Sequence, residues 1–137
     1  GEKDAVLRVT FGKVDYEYLG ITRDSGNVFV NVLATSKDGD QTAPNGTMTL
    51  IDPDGENYTG RPTRGIGLAP TLKEGVPVKL SWQFGGKNAF TGEAKGGAPS
   101  AKITRFAGVS IHRTIVGDGN TIDFRNVPAV MTKPKGK

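Results

Sequence analysis

A chain of 137 residues without cysteine is the length of one domain, buries roughly two-thirds of its unfolded surface, and holds neither disulfides nor thiolate-bound metal. Its formal charge is +4, but Lys133, Lys135 and Lys137 carry three of those charges, so the body is near neutral and lacks the field that nucleic acid binding requires. No apolar run approaches the ~18 residues of a membrane span.

Ala5 to Phe11 reads as a first β segment, with Leu7, Val9 and Phe11 in one apolar row. Val14 to Ile21 is a second. Its Val14, Tyr16 and Tyr18 share one face while Leu19 and Ile21 share the other, which calls for a bulge or bend near Gly20. The turn residues Asp24 to Asn27 lead to Val28–Thr35, apolar on both sides for part of its length and therefore expected at the centre of a sheet.

A polar loop from Lys37 ends in Asn45-Gly46, and Thr47 to Ile51 follows as a short strand. Asp52-Pro53-Asp54-Gly55 is a turn from which Glu56 to Thr59 returns. From Gly60 to Glu74 the prolines and glycines predict an irregular segment. Val76, Val78, Leu80, Trp82 and Phe84 then alternate with Pro77, Lys79, Ser81 and Gln83, the pattern of a strand with one buried face. That face makes Trp82 a core residue.

Residues 85 to 100 form a long glycine-rich loop, and loops of that length are usually functional or disordered. Ile103 to Val116, with a break expected at Ala107-Gly108, and Thr121 to Val127 complete the pattern across an Asp118-Gly119 turn. About seven to nine short antiparallel strands predict an all-β, immunoglobulin-like sandwich. The sandwich domain is expected over 1–130, with 131–137 as a basic flexible tail.

Leu50-Ile51-Asp52-Pro53-Asp54-Gly55-Glu56-Asn57-Tyr58 and Leu72-Lys73-Glu74-Gly75-Val76, continuing to Phe84, resemble two motifs of telokin-like immunoglobulin-fold accessory domains of exported bacterial proteins. The resemblance implies a non-enzymatic domain, secreted, periplasmic or lipoprotein-like, with no catalytic residues to carry over. Gly1 in place of methionine points to a processed chain, by removal of an export signal or by cleavage of an expression tag; export is the expectation here, and a removed leader is compatible with a lipid anchor.

The chemistry-bearing residues point the same way. His112 shares a strand face with Ser110, but residues two apart on a strand are separated by roughly 6.5–7 Å, too far for a direct proton relay. Asp15 and Glu17 pair on a strand face as solvated carboxylates do. Asp52, Asp54 and Glu56 are spaced like the start of a calcium loop whose later ligands are missing. We therefore expect no catalytic residue, cofactor or metal, with those three acids as the alternative metal set.

The residues expected to contact a protein or envelope partner are Arg61 and Arg64, whose guanidinium forks suit a carboxylate or phosphate, and Lys87 and Phe90 of the long loop. A carbohydrate-binding module is the alternative, with Tyr16, Tyr18 and Tyr58 as exposed rings for glycan stacking.

Overall fold

The computed structural model describes residues 5–24, 26–63, 69–85, 97–113 and 120–131. Among them are ten strands: β1 (Arg8–Phe11), β2 (Val14–Asp24), β3 (Asn27–Ser36), β4 (Gln41–Thr42), β5 (Met48–Ile51), β6 (Asn57–Pro62), β7 (Thr71–Leu72), β8 (Val78–Phe84), β9 (Arg105–His112) and β10 (Thr121–Pro128). Eight form one antiparallel sheet in the order β1-β2-β3-β8-β6-β5-β9-β10, and β4 pairs with β7. The all-β, antiparallel, sandwich-like architecture expected from the alternating strands is present. The short β4 and β7, two residues each, take the count past the expected range.

The sheet folds into two facing halves stitched at both sides. On one side β6 crosses between them, pairing with β5 as far as Gly60 and with β8 through Arg61 and Pro62. On the other, Val6 and Arg125 exchange two backbone hydrogen bonds of 2.8 and 3.1 Å. Nearly closing the sheet in this way removes most of the exposed edge that an open sheet would offer to other proteins.

β3 is central, between β2 and β8. Its Val28, Val30, Val32 and Ala34 face the core with Leu80, Trp82 and Phe84 of β8, and Trp82 is 1% exposed, as its alternation predicted. The buried face begins later than expected. Val76 is 52% exposed because Gly75, at φ 76°, turns the backbone there and the Val76 amide closes that turn on Lys73.

The bulge expected near Gly20 is present: the β2–β3 register shifts between Tyr18 and Gly20, so Tyr18 and Ile21 both reach the core. Gly20 has φ 93°, and a Cβ there would sit 2.9 Å from Met131 Cγ. Met131, the first residue of the expected tail, thus packs against the body.

Two boundaries differ from expectation. The segment after Gly60 is not irregular at its start, since β6 runs to Pro62 and β7 forms within it. The break expected at Ala107-Gly108 is absent; Gly108 pairs with Ile51 on one side and Arg125 on the other, and those ladder partners hold β9 continuous. The Asp118-Gly119 turn, most of the 85–100 loop and residues 132–137 lie outside the described residues.

Candidate functional site

The proton-transfer candidates are held in structural contacts. Asp52 is buried in its turn, where Oδ1 accepts from the amides of Asp54 and Glu56 at 2.9 Å each and Oδ2 accepts from the Tyr58 hydroxyl at 3.0 Å. Burial opposes its charge, but the bonds from Glu56, Tyr58 and Asp54 outweigh that cost and hold the carboxyl below its usual range. Both Asp52 oxygens are thus engaged by its own turn, and among the described residues no three acidic or histidine groups converge as metal ligands.

On the outer face of β5, β9 and β10, Ser110 donates to Asp123 at 2.7 Å, while His112 Nε2 lies 3.3 Å from the Thr49 hydroxyl. A nucleophilic serine needs the imidazole as its proton acceptor; here the carboxylate takes that place and the histidine meets a threonine. Asp15 accepts from Thr10 and lies 4.0 Å from Lys37 Nζ, while Glu17 pairs with Arg8 at 3.3 Å. A groove of about 350 Å³ crosses that face, where Arg8 pairs with Glu17 and Asp15 is held by Thr10 and Lys37.

Several expected binding residues are placed differently. Arg61 is a strand residue of β6, 3% exposed, whose Nη2 donates to the Gly85 carbonyl at 3.4 Å and whose Nε has no partner. It is enclosed because Gly60, facing the opposite way, puts its α-carbon against the Phe84 ring and draws β6 close to β8. Arg64, Lys87 and Phe90 lie outside the described residues. Tyr16 and Tyr18 are buried rather than exposed, because they share the inward face of β2 with Val14, and Tyr58 is half-buried over Asp52.

Polar side chains line a cleft at one end of the barrel instead. A cleft of about 310 Å³ opens between the β1–β2 turn, the segment leading into β5, and Arg113 just after β9. Its far wall is fixed: the Asn45 amide donates to the Arg113 carbonyl at 3.1 Å, Gly46 donates to His112 at 3.2 Å, and Trp82 Nε1 reaches the Gly46 carbonyl at 3.0 Å. The buried indole therefore anchors the cleft from within the core.

Three polar side chains are of interest in its lining. The exposed Arg113 side chain puts its guanidinium 4.7 Å from the centroid of the Phe11 ring, a cation–π contact. Asn45 Oδ1 is buried and accepts no hydrogen bond. The Tyr16 ring is buried, and its hydroxyl has no hydrogen-bond partner among the described residues. Burial pushes that hydroxyl up to about 12, with the nearby Arg113 charge pulling the other way.

The cleft lining contains Lys13 and Arg113 and no acidic residue. Lys13 has an exposed partner, Asp38 at 3.4 Å, while Arg113 has no ion pair among the described residues. A second cleft, about 240 Å³, lies beyond Pro44 and is walled by Pro62, Pro70 and the Trp82 strand; Lys79 is its one charged lining residue.

A search of protein-family models, curated proteins and solved structures returned no match to this sequence. No helix among the described residues is long and apolar enough to cross a membrane.

Proposed function

We propose that this protein is a non-catalytic, exported β-sandwich module that binds a protein or cell-envelope component through the Arg113 cleft. The observation that carries this reading is the contrast between two sets of polar groups. Asp52, Asp15, Glu17, Ser110 and His112 each have a structural partner, whereas Arg113, Asn45 and Tyr16 converge on one cleft with hydrogen-bonding capacity to spare. Arg113 and the Tyr16 hydroxyl keep that capacity toward solvent, where a ligand can take it up.

The exported setting, secreted or periplasmic, rests on the resemblance of the Asp52 turn and the β8 approach to accessory domains of exported bacterial proteins. The Asp52–Tyr58 hydrogen bond supplies a physical reason for that spacing, since the turn must bring the tyrosine hydroxyl back over the carboxylate. Glycan stacking has less support, with two of its three rings in the core.

The test is photo-crosslinking in the cells of origin. A photoreactive residue at position 13, beside the cleft, is expected to give a discrete adduct in the envelope or secreted fraction. The same residue at exposed position 102, near the opposite end where Pro99 meets Arg23, is expected to give none. Equal yields from the two positions contradict use of the cleft, and a cytosolic adduct contradicts export.

A further inference from the structure

We infer that the open edge of β1, which leads into the Arg113 cleft, takes up an extended segment of a partner polypeptide as an added strand, antiparallel to β1, with apolar residues turned inward and acidic residues turned outward. The inference rests on the binding-module reading, and it names the form in which the partner is held.

The backbone supplies the first observation. Val6 and Arg125 exchange hydrogen bonds, but beyond that stitch β1 and β10 share no pair, although β1 continues to Phe11 and β10 reaches back to Thr121. Successive strand residues aim their N–H and C=O groups to alternate sides. The Leu7 carbonyl accepts from Tyr18 and Phe11 faces Val14 across the Gly12-Lys13 turn, so the groups of Arg8 and Thr10 point with those of Val6, away from β2. Both residues are exposed, and their backbone groups have no hydrogen-bond partner among the described residues.

The apolar side of β1 is incomplete in the same place. Leu7, Val9 and Phe11 pack against the core yet stay half-buried, whereas Val14, Tyr16 and Tyr18 on β2 and Ile122 and Phe124 on β10 are buried. An extended peptide meets both needs at once: its backbone bonds to Arg8 and Thr10, and its alternate side chains cover Val9 and Phe11.

Charge sets the outward face. Arg125 is exposed and has no ion pair among the described residues, while Asp123 on the same face already accepts from Ser110 and Thr121. Arg113 stands at the other end of the edge, over Phe11. Acids on the added strand therefore meet cations that lack a partner. A second copy of this chain does not supply that strand, because its β1 arrives joined to β2, which would have to share the space of β10.

The test is amide hydrogen exchange, read by NMR on the full chain, with the acetylated and amidated heptapeptide Thr-Val-Glu-Val-Glu-Val-Thr. The Arg8 and Thr10 amides are expected to exchange freely in the protein alone and to slow about tenfold or more with saturating peptide, while Val9 and Phe11, already bonded to β2, keep their rates. N-methylation of both glutamates, which in an antiparallel pair face Arg8 and Thr10, is expected to weaken binding about tenfold or more. Lysine at both positions is expected to weaken it about threefold or more. Thr10→Pro removes an N–H that gives nothing to β2 and is expected to remove the protection at Arg8, with unchanged shifts elsewhere reporting the fold.

Equal binding of the N-methylated or the lysine peptide, no slowing at Arg8 and Thr10, or protection at Arg8 that survives Thr10→Pro overturns the inference. So does slowing in the protein alone as its concentration rises, which assigns the edge to a second copy. If the peptide fails while crosslinking at position 13 persists, the added strand falls and the binding-module reading stands; if both fail, the reading falls with it.

Discussion

At Asp52 a single carboxylate organises a whole turn, because its two oxygens gather two amides and a phenol from residues that follow it. Each bond favours the ionised form, so the folded carboxyl titrates below the ordinary aspartate value of about 3.9. The sign follows: the stability it contributes is full above that ordinary value and is lost as pH falls through the lower folded one. Asp52→Asn is therefore expected to melt below the wild type at pH 7, with the gap closing as pH drops below about 4. Melting curves from pH 7 to pH 2 measure this, and a gap that stays constant throughout contradicts it. The same residue in a calcium site would present its oxygens outward; here they are engaged within the turn.

Among the strands, two buried glycines make opposite predictions. A methyl group on Gly60 would lie 2.5 Å from the Phe84 ring, inside contact distance, so Gly60→Ala is expected to cost about 1–3 kcal/mol through overpacking. At Gly108 the nearest atom to an added Cβ is Ile51 Cδ1 at 3.4 Å, and the backbone needs no positive φ. Gly108→Ala is expected to gain about 0.5 kcal/mol by restricting the unfolded ensemble. Urea unfolding of both variants checks the pair, and equal losses would contradict the packing described.

The same strands explain what was legible from sequence. β8 and the Gly20 bulge were readable because a period of two, and its interruption, are local signals. The continuity of β9 through Gly108 was not, since it depends on partners at Ile51 and Arg125 that are distant in the sequence. The burial of Tyr16 followed from Val14 and Tyr18 flanking it on one face, but the amphipathic character of tyrosine favoured an exposed reading. The cleft had no local signature at all: Tyr16, Asn45 and Arg113 lie on separate segments, and their convergence depends on how the barrel closes.

For the whole molecule, closure and function are linked. Stitching at Val6–Arg125 and at Arg61–Gln83 makes a frame whose core is fixed by Trp82, Tyr18, Phe84, Phe106 and Phe124. Tyr18 extends that frame to the C-terminal end of β10, donating to the Ala129 carbonyl at 3.1 Å and packing 5.9 Å from the Phe124 ring centroid. A frame of this kind ties the backbone of Asn45 to that of Arg113 without a ligand, so the walls of the cleft are formed before binding. The most direct measurement of the proposed use of that cleft is the photo-crosslinking yield at position 13 in cells carrying Arg113→Ala beside cells in which Arg113 is unaltered. The account predicts that the adduct falls about tenfold when the guanidinium is removed while the protein stays at normal abundance; an undiminished adduct would contradict it.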